Sequence, residues 1–334
     1  MIHDNHLLGR IADPDNLRLA SWKAAKGKRY AAGVRAFQSD LDRNLLRLRQ
    51  QILSGVVEVG NYHYFKVYEP KERQICASAF PEQVLHHALM NVCDARFERA
   101  LIADSFASRK GKGTYAALDR AKYFTWGNPW FLKLDVRKFF ESVHHDVLKN
   151  QLARLFREER LLGIFCRIID SYAVNPDRGL PIGNLTSQYF ANHYLSGLDH
   201  FVKEGLCVRA YVRYMDDLVL WHTDKEVLKD ARAVLAEFVL DRLRCDLKPA
   251  LLNRSQRGLP FLGYRVFPYQ VRLLQKSKQR YIRKTRQVHE FHASGLWTEP
   301  ACQVRVAGLV AFTRHADAPG FRKTVLSRLE GQSP

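Results

Sequence analysis

The run Ala210-Tyr211-Val212-Arg213-Tyr214-Met215-Asp216-Asp217-Leu218-Val219-Leu220-Trp221 constrains this chain more than any other segment. Apolar residues flank two adjacent acids, the pattern of two short strands folded at the acidic pair. Two neighbouring carboxylates in a β-rich setting repel each other and are costly to strip of water, so a cation should compensate them, and a divalent metal is the best candidate. An Asp-Asp pair also suits a plain hairpin turn, because Asp tolerates the backbone angles required there. Taken alone, the motif favours the turn.

A second acidic motif changes the balance. Trp130-Phe131-Leu132-Lys133-Leu134-Asp135-Val136-Arg137-Lys138-Phe139-Phe140 reads as an apolar strand ending at Asp135, followed by a segment that turns into a helix through Val147-Leu148. One acid from this strand end and two from the hairpin can meet on adjacent strands. Hard oxygen ligands of this kind suit Mg²⁺, which keeps several waters and binds substrate phosphates through one or two carboxylates.

With these two motifs in place, the sequence resembles a reverse transcriptase. Asp135 matches the first catalytic aspartate of the palm, and Tyr214-Met215-Asp216-Asp217 matches the second signature in spelling and order. Three further blocks follow the family order: Val67-Tyr68-Glu69-Pro70-Lys71-Glu72-Arg73, Gly183-Asn184-Leu185-Thr186-Ser187-Gln188 and Phe261-Leu262-Gly263-Tyr264. Five ordered blocks are far more specific than one tetrapeptide. Most reverse transcriptases carry Gln-Gly and a terminal Ser-Pro in the middle block, whereas this chain has Ile182 before Gly183 and ends in Ser187-Gln188. That wording resembles the enzymes of diversity-generating retroelements within the group II intron-like superfamily.

The resemblance implies an α+β right-hand polymerase. It places an N-terminal extension and fingers in 1–130, palm in 131–149, more fingers in 150–180, palm with the primer grip in 181–275, and a helical thumb in 276–334. Asp135, Asp216 and Asp217 are the implied catalytic acids. Two Mg²⁺ ions are implied, held by Asp135, Asp216 and the Val136 carbonyl, with Asp217 in support. Lys71, Arg73, Phe140, Ile182, Gly183 and Gln188 are expected around the nucleotide. Phe140 would sit beneath the sugar and exclude a 2′-hydroxyl. Tyr214, Met215, the grip Phe261-Leu262-Gly263-Tyr264, and Lys276, Lys278 and Arg280 of the thumb are expected on template and primer. Arg109-Lys110-Gly111-Lys112-Gly113-Thr114 lacks the spacing of a nucleotide-binding P-loop and reads as a fingers loop, with Arg109, Lys110 and Lys112 touching template. Lys248 falls where some polymerases place a general acid, in surroundings that match no secure pattern.

The implied activity is RNA-directed DNA synthesis that copies a retroelement's template RNA into cDNA with errors at template adenines. The implied partners are that RNA, its cDNA, dNTPs and a small basic oligomeric accessory variability protein. A group II intron, retron or phage-defence reverse transcriptase is the enzymatic alternative. A catalytically idle RNA-binding protein on the same scaffold is the other.

Composition agrees with a polyanionic partner: 53 Lys and Arg against 34 Asp and Glu give a net charge of +19. The six cysteines form no Cys-x-x-Cys pair, which argues against structural zinc and a disulfide framework. No signal peptide or membrane-spanning stretch is evident, so the cytoplasm is the expected compartment. No RNase H or nuclease domain is expected after the thumb. Residues 17–54 read as helical, 62–68 as an alternating strand, and Pro81 as a helix start whose histidines have no acidic partner at hand.

Overall fold

The computed structural model describes residues 6–68 and 72–330. Four helices, α1 (Leu7–Ile11), α2 (Pro14–Ala25), α3 (Ala32–Gln38) and α4 (Leu41–Ser54), lead into a hairpin of β1 (Tyr62–Val67) and β2 (Arg73–Ser78). Then follow α5 (Phe80–Ala100), α6 (Thr114–Gly127), β3 (Trp130–Asp135), α7 (Phe139–Ser142), α8 (His145–Leu155), α9 (Glu159–Asp170), α10 (Leu185–Tyr194) and α11 (Ser196–His200). The hairpin β4 (Tyr211–Tyr214) and β5 (Asp217–His222) precedes α12 (Lys225–Leu243), β6 (Leu251–Arg254), β7 (Leu259–Phe261), β8 (Tyr264–Val266) and β9 (Val271–Leu273). Three helices close the chain: α13 (Gln275–Ala293), α14 (Glu299–Arg314) and α15 (Pro319–Glu330).

The central sheet is antiparallel with strand order β4-β5-β3-β6. The inner strands β5 and β3 are covered on both faces, which explains why β5 is apolar at consecutive positions, whereas the edge strand β6 is exposed at Leu251 and Arg254. Alternate side chains point to opposite faces. Leu132, Leu134, Leu218 and Leu220 accordingly join the main helical core with α5, α8, α10 and α12. Phe131, Val212, Val219 and Trp221 join a second core with α6 and the small sheet β7-β8-β9. The last three helices pack around Tyr281, Val325 and Leu329.

Two local readings of the sequence need correction. The helical stretch expected over 17–54 is three helices: α2 stops before Gly27, whose φ of 79° is left-handed, so the basic residues at 26–29 lie in a connecting loop. The strand β1 forms, but five of its six residues are exposed despite their alternation: its sheet has only two strands, and it is β2 that is buried, at Cys76 and Ser78.

Candidate active site

Asp135 closes β3, Asp217 opens β5, and the two stand directly opposite each other in the antiparallel register. Opposed side chains on one face of such a pair have Cβ atoms about 4.5–5.5 Å apart, close enough for like charges to repel. Asp216 sits in the preceding turn, where its carbonyl accepts a hydrogen bond from the Val136 amide at 3.4 Å. The turn is made by Met215, which adopts a left-handed φ of 55°, uncommon for a residue with a bulky side chain. The three acids are thus gathered at one end of two neighbouring strands.

Their electrostatics call for a cation. Burial, and next the charge of Asp135, push the Asp216 carboxyl above the usual range. Burial pushes Asp217 up as well, against the pull of Lys133. The Lys133 ammonium lies 2.8 Å from Asp217 Oδ1 and donates to Oδ2 at 3.1 Å and to the Pro260 carbonyl at 3.0 Å. Oδ1 itself is buried without a hydrogen bond. On the other side, residues 246–248 run beside the end of β3, with Arg137 N to Asp246 O at 2.7 Å and Lys248 N to Asp135 O at 2.8 Å. That pairing delivers the Lys248 ammonium to Asp135 Oδ1 at 2.6 Å.

With Asp135 and Asp217 each drawn to a lysine, no three His, Cys, Asp or Glu side chains among the described residues form a ready metal cage. The donor set nevertheless fits a hard divalent ion: three carboxylates at one end of two paired strands, two of them carboxyls whose charged form the fold disfavours, with the buried Asp217 Oδ1 met only by the Lys133 charge.

The primer-grip block is tied to this centre. Leu262 and Gly263 have φ of 50° and 91° and form the two-residue turn between β7 and β8, where Phe261 pairs with Tyr264. Positive φ at both central positions is the geometry that matches hairpin twist, and it favours glycine. Lys133 joins Asp217 to the Pro260 carbonyl of β7, so the grip strand and the acids share one cation. At the other side of the turn the Gly263 carbonyl accepts from Ser277 Oγ at 2.7 Å, which sets the start of α13. Lys276 is exposed there, Lys278 lies over Phe321 at 5.7 Å and Arg280 over Phe312 at 5.0 Å.

The middle block meets the β1–β2 hairpin. The Cys76 amide donates to the Ile182 carbonyl at 2.8 Å. A Cβ on Gly183, whose φ is 130°, would lie 2.9 Å from Ile75 Cγ2 and 3.0 Å from the Cys76 carbonyl, so only glycine fits. Arg73 is exposed at the start of β2, Phe140 is half-buried beside Phe139, and Gln188 accepts a 2.9 Å hydrogen bond from Ser108 Oγ. Tyr214 and Thr114 share a hydroxyl contact of 3.1 Å. Lys71 lies outside the described residues.

Two readings change here, for Arg109 and for His86. Arg109 does not face a template: its guanidinium is buried against Glu98 and donates to the Ile102 and Ser105 carbonyls at 2.6 and 2.7 Å, building its own loop. In the same loop Lys110 pairs with Asp94 at 2.7 Å, and Lys112 bonds the Ala103 carbonyl. His86 does have an acid beside it, since Glu82 one helical turn earlier places Oε1 3.4 Å from Nε2 in a fully buried pair. The residues that sequence reasoning missed are Lys133 and the buried pair Arg213–Asp199 (2.7 Å) behind the sheet. A lysine inside an apolar strand was the one available signal for the first.

Comparison with known proteins agrees with this architecture. The model of the family "Reverse transcriptase (RNA-dependent DNA polymerase)" matches residues 73–266, more than half of the chain. Protein YkfC of Escherichia coli K12 is 21% identical over 314 residues, covering 78% of this chain and 82% of that protein. The putative COX1/OXI3 intron 1 protein of Saccharomyces cerevisiae is 19% identical over 130 residues, covering 37% of this chain and 16% of that protein, so the match spans about a sixth of its length. Telomerase from Candida tropicalis, solved in complex with the TWJ fragment of telomeric RNA, superposes with a TM-score of 0.51 at 11% identity over 88% of this chain and 59% of that one. That likeness concerns the fold, a right-hand polymerase of mixed helix and antiparallel sheet. The chain belongs to the reverse transcriptase family.

Proposed function

We propose that this chain is an RNA-directed DNA polymerase of the diversity-generating retroelement type. The observation that carries the polymerase reading is the meeting of Asp135, Asp216 and Asp217 at one end of β3 and β5, with Asp135 and Asp217 in register. Asp135, Asp216 and the Val136 carbonyl would hold two Mg²⁺ ions, with Asp217 in electrostatic support. Bound there, the ions would acidify the primer 3′-hydroxyl and neutralise the departing pyrophosphate. Lys133 and Lys248 offset part of the carboxylates' mutual repulsion. Arg73 and Lys71 are assigned to the triphosphate, the grip turn and α13 to primer and template. The net charge of +19 favours the nucleic-acid duplex.

Phe140 is assigned to sugar selection. Phe140→Ala is expected to raise ribonucleotide incorporation by about tenfold or more, the scale of about 1.4 kcal/mol of lost discrimination. Single-nucleotide extension with dNTP against rNTP checks this, and an unaltered ratio removes the assignment.

The subtype rests on Ile182-Gly183-Asn184-Leu185-Thr186-Ser187-Gln188. An apolar Ile182 fills space but offers no hydrogen bond with which to sense a misaligned pair, and lost polar discrimination costs selectivity. Ile182→Gln is expected to lower errors opposite adenine by several-fold, read by sequencing the products. An unaltered spectrum would move the cause elsewhere, for example to Gln188 or Arg73.

The subtype as a whole is tested by sequencing cDNA made on an RNA template with and without the accessory variability protein. Substitutions mainly opposite template adenines are expected. Faithful copies would favour the intron or retron type.

A further inference from the structure

We propose that Arg213 and Asn192 are positioning residues that hold the catalytic turn from behind the sheet, an inference that rests on the polymerase reading above. Arg213 is on β4, one position before Tyr214, and its side chain lies on the face opposite the acids. It is fully buried, and its five N–H groups all find acceptors. Nε donates to Asp199 Oδ1 at 2.7 Å and one terminal nitrogen to Asp199 Oδ2 at 2.7 Å and the Asn192 carbonyl at 3.1 Å. The other terminal nitrogen donates to Asn192 Oδ1 at 2.9 Å and to the Met215 carbonyl at 3.1 Å.

The last bond is the one that bears on chemistry. The Met215 carbonyl belongs to the peptide plane that ends at the Asp216 nitrogen. Because that plane is rigid, fixing its oxygen fixes the direction in which Asp216 leaves the turn. Met215 is itself left-handed, a conformation that persists only when surrounding contacts enforce it. Asp199 supplies the counter-charge and, with Asn192, most of the acceptors that the buried guanidinium needs. The remaining acceptor is the Met215 carbonyl, so the same set of bonds ties the guanidinium to the catalytic turn.

Asn192 makes the arrangement specific. Its Oδ1 orients the guanidinium nitrogen that reaches Met215, while its Nδ2 donates to the Ala107 carbonyl at 2.6 Å. Residues 104–107 are also stitched to Arg213 through the backbone, Arg213 N to Asp104 O and Phe106 N to Arg213 O, both at 3.0 Å. Beyond them Ser108 holds Gln188, which lies one helical turn before Asn192 on α10. One hydrogen-bonded unit therefore joins the turn that carries Asp216 to the helix that carries Gln188. Lysine cannot replace Arg213, since an ammonium donates from a single point and cannot span Asp199, Asn192 and Met215 together.

The test is single-turnover addition of one dNTP to an RNA-templated primer by wild type, Arg213→Lys and Asn192→Ala, with hydrogen–deuterium exchange of the peptide covering Tyr211–Trp221. Both variants are expected to keep the reactive fraction and the dNTP KM within about twofold. The rate constant of addition should fall by about tenfold or more, as small misplacements of reacting groups do, and exchange at the turn should quicken. A lower reactive fraction with an unaltered rate constant would mean a structural role only and overturn the proposal, as would an unaltered rate in well-folded Asn192→Ala. If Arg213→Lys does not fold, Asn192→Ala decides. If wild type adds no nucleotide, the polymerase reading fails separately, and unaltered exchange at the turn in Asn192→Ala would still overturn the positioning role.

Discussion

Asp216→Asn is expected to lower nucleotide addition by on the order of 10³-fold, or about 4 kcal/mol of transition-state stabilisation, while template–primer affinity stays within about twofold. The asymmetry follows from the site. Asp216 is half-buried in the turn between β4 and β5, and its carboxyl is held above the usual range by burial and by Asp135. A carboxylate whose charged form the fold disfavours contributes little to stability, and in the proposed mechanism its use lies in meeting a cation during phosphoryl transfer. Asparagine keeps the shape and removes the charge. Backbone-directed nucleic-acid binding depends instead on the many lysines and arginines, none of which the substitution touches. Extension by a clean preparation of the variant at the wild-type rate would remove Asp216 from the chemistry.

The largest effect on stability is expected at Asp199. Asp199→Ala leaves the Arg213 guanidinium, which like Asp199 has a side chain at 0% exposure, without its counter-charge. Breaking one partner of a buried pair costs about 3–5 kcal/mol, because the remaining charge stays desolvated. The Tyr211 hydroxyl, which donates to Asp199 Oδ1 at 2.8 Å, loses its acceptor too. Urea denaturation should show a large drop in midpoint with little change in slope. The exposed pair Arg18–Asp42, with side chains at 58% and 82% exposure, provides the contrast. Asp42→Ala should cost less than about 1 kcal/mol. Equal midpoints for the two variants would mean that Asp199 is not the counter-charge that the fold depends on.

The two acidic motifs were legible in the sequence because a short apolar run that ends at a carboxylate is a local signal. Residues 130–135 and 211–222 form the expected strands, and the acids meet where those strands pair. Arg213 was not legible. A cation one residue from an acidic turn reads as a solvent-facing neighbour, and its burial depends on Asp199 and Asn192, which come from helices elsewhere in the chain. Arg109 misled for the same reason, since its partner Glu98 belongs to the preceding helix α5. The break near Gly27 was masked by the flanking lysines, which favour helix, although the glycine itself, left-handed in the fold, was a local stop signal. Contacts that only the folded chain brings together are invisible to pattern.

The central claim is that the acids at the ends of β3 and β5 catalyse RNA-templated DNA synthesis. The most direct test is extension of a DNA primer on an RNA template by the purified protein with Mg²⁺ and dNTPs, wild type beside Asp216→Asn, each with and without the accessory protein proposed above. The account predicts template-dependent products from wild type in at least one of these conditions and none from the variant. Products from both proteins, or none from wild-type protein shown to bind the template–primer in both conditions, would contradict it.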